Sequence, residues 1–141
     1  MSNHIPDLWP KGLSATVLSP RAILKAQGTK LAERTKGLLE GEVSTSGGLK
    51  EGKPGVILEL DIVAPVLNNY RHRVLTAWHA HDMFYPAYIQ RAGGDSWEIP
   101  AATEEKFVEE VGKVLQSPAI ASVLDSLLAR SNEAEEAKQA G

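Results

Sequence analysis

A helix, then a run of strands, then two helices: this order of periodicities predicts an α+β fold, with helices packed on one face of an antiparallel sheet of three to four strands. Three observations carry the prediction. Residues 56–63 (VILELDIV) and 70–79 (YRHRVLTAWH) alternate with a period of two, as strands with one dry face do. Residues 103–115 and 117–128 place apolar side chains at helical spacing. A Ser-Pro pair at 19–20 opens an earlier helical pattern, because serine caps free amides and proline fits the first helical position.

Residues 1–18 form an irregular arm, since Pro6, Pro10 and Gly12 interrupt any regular pattern around Ile5, Leu8, Trp9, Leu13, Val17 and Leu18. From Ser19 the helix is expected to run to Glu40 and stop at Gly41. Its face is thinly apolar, with Leu24, Leu31 and Leu38 seven residues apart. EVSTS at 42–46 reads as a short edge strand, and GGLKEGKPG at 47–55 as a mobile connecting loop.

In the strand 56–63, Val56, Leu58, Leu60 and Ile62 share the inner face, and Glu59 and Asp61 the outer one. Strict alternation through 70–79 then puts Tyr70, His72, Val74, Thr76 and Trp78 inward, with Arg71, Arg73, Leu75, Ala77 and His79 outward. Pairing Leu60 with His72 sets Asp61 opposite Arg71 and Glu59 opposite Arg73. A two-residue turn at His81-Asp82 leads into FYPAYIQ, residues 84–90, with Trp78 expected beside Tyr85 and Val74 beside Ile89. Pro86 lacks an amide proton, so this strand is expected to lie at an edge or to leave its amide side open there.

After a loop over 92–102, Thr103 caps a helix whose first turn holds Glu104 and Glu105, and Ser117-Pro118 starts another. Phe107, Val108, Val111, Val114 and Leu115, then Ile120, Val123, Leu124, Leu127 and Leu128, are expected to form their buried stripes. Residues 132–141 read as a flexible polar tail, leaving 19–131 as a single domain.

With 141 residues the chain is large enough to remove roughly two-thirds of its unfolded surface from water without staples. It has no cysteine, which excludes thiol catalysis and thiolate metal sites. Fifteen basic against 18 acidic residues give a net charge of −3, an unpromising field for nucleic acid. No apolar run approaches the ~20 residues that span a bilayer, and no secretory signal opens the chain. A cytoplasmic protein without membrane contact is the expectation.

The chemistry-bearing residues concentrate in YRHRVLTAWHAHD, residues 70–82, which holds three of the four histidines. His79 and His81, two apart with Asp82 following, form a minimal metal-ligating pattern, but a zinc site ordinarily needs three or four ligands. The longer histidine-aspartate pattern of metallo-β-lactamase-like hydrolases is absent. Phosphate-binding glycine loops and a G-x-S-x-G nucleophile are absent as well. A short sheet bearing Arg, His and Tyr invites comparison with small bacterial ribonuclease toxins, yet the acidic balance and the helix positions depart from them. No family, cofactor or metal is assigned.

The expected role is therefore a small non-enzymatic protein-binding or assembly domain that self-associates or joins a protein partner. Its contact residues are Trp9 on the arm and Arg71, Arg73, Leu75, Phe84 and Tyr88 on the outer sheet face, a mixture of aromatic, aliphatic and arginine side chains typical of interfaces. The alternative is a small hydrolase or ribonuclease-like enzyme using His79 or His81 with Arg71, Arg73, Tyr85 and Glu59.

Overall fold

The computed structural model describes residues 5–14, 16–94, 97 and 99–140. Its elements are α1 (Pro20–Arg34), β1 (Glu40–Lys50), β2 (Lys53–Ala64), a 3-10 turn (Pro65–Leu67), β3 (Tyr70–Ala80), β4 (Met83–Arg91), β5 (Ile99–Ala101), α2 (Glu104–Leu115) and α3 (Pro118–Ala140). The strands form one antiparallel sheet in the order β1-β2-β3-β4-β5. All three helices pack against one of its faces, so the α+β architecture is as the periodicities indicated, with five strands rather than three or four. No helix among the described residues is long and apolar enough to cross a membrane.

The Ser19 hydroxyl caps α1 by accepting the Ala22 N–H at 3.0 Å. The helix ends at Arg34, six residues before the expected stop. The reason lies in Thr35, whose hydroxyl accepts the Leu39 N–H at 3.1 Å and lies 2.9 Å from both the Leu31 and Leu39 carbonyls. Lys36 and Gly37 then adopt φ of +51° and +82°, and the left-handed turn at Gly37 closes the helix. Gly41 has a different use: it lets α1 descend onto β1 at Gly28.

The segment 47–55, expected to be a loop, is the tip of the β1–β2 hairpin. Lys50 faces Lys53 across Glu51-Gly52, both at positive φ (+50° and +81°). That is the geometry of a type I′ turn. Glutamate is uncommon there, so the turn signal was masked by its glycine-rich surroundings. β5 is likewise a strand found inside an expected loop, and three residues are too few for alternation to register. It covers β4, pairing Ala87 with Ala101 and Ile89 with Ile99, so β4 does not lie at the sheet's edge, and Pro86 stands just outside the paired residues.

Between β2 and β3 the register shifts. Asp61 faces Arg73 and Leu60 faces Leu75, which leaves Val74 as an extra residue on β3. A bulge of this kind moves every later side chain to the opposite face. Leu75 and Ala77 consequently join the core, both fully buried, with Leu58, Leu60, Ile62, Phe107 and Val111. Trp78 turns to the outer face, opposite Ile57. The expected assignment of these residues is reversed beyond Val74, although Val74 itself is buried as anticipated.

The turn at His81-Asp82 is as read, with Ala80 facing Met83. Beyond it the register shifts again, pairing Trp78 with Tyr88 and Ala77 with Ile89 rather than with the partners expected. Thr103 caps α2 by accepting the Lys106 N–H at 3.1 Å. α3 continues as helix through Ala140, over residues read as polar tail. Their alanine, glutamate, lysine and glutamine content favours helix, and no glycine or proline interrupts it.

Candidate functional site

The outer sheet face divides into a charged end and an aromatic end. At the charged end three strands contribute alternate residues: Glu42 from β1, Glu59 and Asp61 from β2, Arg71 and Arg73 from β3. Arg71 Nη2 lies 2.9 Å from Glu42 Oε1, and its Nε 3.4 Å from Asp61 Oδ2. Arg73 Nη1 lies 2.7 Å from Glu59 Oε2, while its Nε donates to Asp61 Oδ1. The Glu59–Arg73 and Asp61–Arg71 pairs expected from alternation thus form, within a shifted register. Asp61 is buried, and it joins the two arginines.

Both guanidiniums are held above their ordinary range, Arg71 foremost by its hydrogen bond to Glu42 and Arg73 foremost by that to Asp61. Two arginines against three carboxylates leave a local surplus of one negative charge. An external anion would have to displace carboxylates already in place, so this is a poor phosphate clamp.

At the aromatic end the Trp78 ring lies over Gly55, where a Cβ would sit 2.6 Å from two ring carbons. Its indole N–H donates to the Gly48 carbonyl at 3.1 Å. Tyr88 packs beside it with ring centroids 6.1 Å apart, and Lys50 Nζ lies 3.9 Å from the centre of the Tyr88 ring. Gly55 removes the side chain that would otherwise hold the indole away, and Gly48 leaves the space that the Ile57 side chain fills. Trp78 is therefore only 4% exposed although no helix covers it. The sequence carried a signal for this in GG and PG flanking the hairpin tip, which matched a loop equally well.

The histidines do not converge. His79 is buried, with its ring edge-on to Phe84 at 5.4 Å. Its Nδ1 lies 2.7 Å from the Ala80 carbonyl; a carbonyl only accepts, so Nδ1 holds the proton. His81 and Asp82 are exposed in the turn, so alternation no longer sets His81 beside His79. Among the described residues no group of three or more His, Cys, Asp or Glu is arranged to hold a metal; His4 lies outside them. Tyr85 is on the helix side, its ring 6.1 Å from that of Phe107 and its hydroxyl donating to the Leu18 carbonyl at 2.7 Å. His72 faces inward opposite Ile62, in a shallow depression with Tyr70, Ser122, Ser126 and Arg130. The three α3 residues recur every four positions, a polar stripe overlooked beside the apolar one.

Of the expected contact residues, Leu75 is inside the core. Phe84 is 39% exposed, Tyr88 is half-buried, and the two arginines are exposed at their heads. The arm is more open still. Ile5, Leu8, Trp9 and Leu13 all face solvent, Trp9 at 75%. The arm is tied to the body at Leu18, whose N–H donates to Glu104 Oε1 at 2.8 Å while its carbonyl receives the Tyr85 hydroxyl.

Compared with known protein families, curated proteins and solved structures, the chain matches none.

Proposed function

We propose that this chain is a small protein-binding or assembly domain of the cytoplasm that self-associates through its N-terminal arm, with the outer sheet face as a second contact. The observation that carries this reading is the exposure of Ile5, Leu8, Trp9 and Leu13 on one short arm. Covering a large aromatic and its aliphatic neighbours stabilises by about 1.5–3 kcal/mol per side chain, and contiguous apolar exposure marks contact surfaces. Phe84 and Tyr88 on β4, with the arginine heads of β3, offer the aromatic and guanidinium mixture enriched at interfaces.

The hydrolase or ribonuclease-like alternative has less support. Glu59, Arg71 and Arg73 share one end of the outer face, whereas His79 lies six residues farther along β3, about 20 Å at strand rise. Tyr85 is on the helix side of the sheet. Such dispersal counts against a shared proton-transfer site.

Light scattering over a concentration series tests the assembly reading. The full chain is expected to exceed its monomer mass of 15.2 kDa, and a Leu8→Ala/Trp9→Ala variant to shift toward monomer, since truncating an anchor residue costs about 2 kcal/mol or more. A full chain that stays monomeric throughout, or an oligomer indifferent to the substitutions, overturns it.

A further inference from the structure

On the opposite side of the sheet the three helices leave a gap. α1 lies chiefly on β1, while α2 lies over β3, β4 and β5. The strip of sheet between them is roofed from two sides without being closed. The result is a groove of about 740 Å³ whose floor is Leu60, Ile62 and Val74, within the range of about 300–1,000 Å³ typical of small-molecule sites. Leu31 stands on one wall and Leu115, Leu124 and Leu128 on the other. All four are only partly buried, although they belong to stripes that face the core.

The rim has a sign. Lys30 and Arg34, four residues apart on α1, both line the groove, and neither makes an ion pair with another described residue. Lys113 stands on the α2 side, sharing Glu109 and Glu110 at 3.4–3.7 Å. Asp61 also borders the groove, but its carboxylate is already taken by the two arginines of the outer face. Three cations against Asp61 and Glu109 leave a surplus of one positive charge at the groove of a chain whose net charge is −3, and Lys30 and Arg34 are its unpaired members.

An apolar trough with unpaired cations on its rim fits a ligand with one long apolar tail and one anionic head. A cationic amphiphile would meet repulsion at the rim. A small polar anion would gain nothing from the trough. We propose that this groove binds one molecule of a long-chain monocarboxylate, with its tail between the partly exposed Leu31, Leu115, Leu124 and Leu128, above the buried Leu60, Ile62 and Val74, and its head at Lys30 and Arg34. The apolar trough supplies most of the affinity, through area removed from water. The two exposed cations supply the choice of head group.

The test is calorimetric titration of the full chain with dodecanoate below its micellar concentration, beside dodecyltrimethylammonium as the cationic counterpart. The expected result is one dodecanoate per chain, bound at least roughly ten-fold more tightly than the ammonium amphiphile. Lys30→Glu/Arg34→Glu alters exposed positions only, and it should reverse that preference while circular dichroism stays unchanged. Leu124→Trp should block both ligands by filling the wall; if that variant fails to fold, the charge reversal alone decides. Failure to saturate, several molecules per chain, equal affinity for both head groups, or indifference to the charge reversal each overturns the proposal, whether a second copy or nothing then fills the groove.

Discussion

Gly28 of α1 and Gly41 of β1 meet backbone to backbone: a Cβ on Gly28 would fall against the Gly41 carbonyl, its carbon 2.9 Å away. Helix and strand approach this closely only because neither residue carries a side chain. α1 has a thin apolar stripe, and the contact sets the height at which Ile23 and Leu24 reach the sheet. It therefore also sets one wall of the groove between the helices.

Two effects of opposite sign compete in Gly28→Ala. Alanine is favoured over glycine in a helix by about 1 kcal/mol. Forcing a methyl group into backbone that cannot rotate away costs about 1–3 kcal/mol or more, and here the obstructing atoms are main chain. The collision wins, so Gly28→Ala is expected to lower the urea midpoint. Ala26→Gly, on the exposed side of the same helix, is expected to cost about 1 kcal/mol from propensity alone. A Gly28→Ala protein more stable than its parent would show that α1 stands farther from β1.

How far such contacts were legible in the sequence depended on whether a local signal existed. Ser19-Pro20, Thr103 and the stripe of Phe107, Val111 and Val114 announced their helices, because capping and burial act over three or four residues. Two-residue alternation located β2 and β3 but was blind to Val74, since an inserted residue changes no composition. The rest of β3 past it was assigned to the wrong face, and Leu75 changed from contact residue to core. The charged cluster survived that error because Arg71 and Arg73 precede the bulge. The groove had no local signature at all. It arises from the spacing of three helices, and Gly28 meeting Gly41 sets only the α1 wall.

Asp61 is the residue on which the outer ion network depends. It is 6% exposed and faces both Arg71 and Arg73, whose heads remain open to water and have a second carboxylate each. Asp61→Asn removes the shared acceptor charge and sets an amide against a guanidinium. The expected loss is about 1–3 kcal/mol, toward the lower end because the arginines are half-exposed and screened. Glu42→Gln removes an exposed partner and is expected to cost about 0–1 kcal/mol. Added salt should narrow the difference between them. Equal destabilisation by the two substitutions in urea unfolding would mean that Asp61 has no special place in the cluster.

Tyr85 holds the arm by its base, and its acidity reports that hold. Burial first, and the charge of Glu104 second, push the phenol up to about 12. Folding thus favours the protonated form over its ordinary value of 10.0. The associated stability is fully present below the ordinary value and is lost as pH rises through about 12, where the phenolate can no longer donate to the Leu18 carbonyl. Tyr85→Phe keeps the ring against Phe107 and removes only the hydroxyl, so at neutral pH it is expected to cost about 1 kcal/mol. Alkaline difference spectroscopy of parent and variant should identify the tyrosinate step that the substitution abolishes, centred near 12. A missing step nearer 10, or no loss of stability at neutral pH, would mean that the hydroxyl is open to water and that Leu18 is anchored through Glu104 alone.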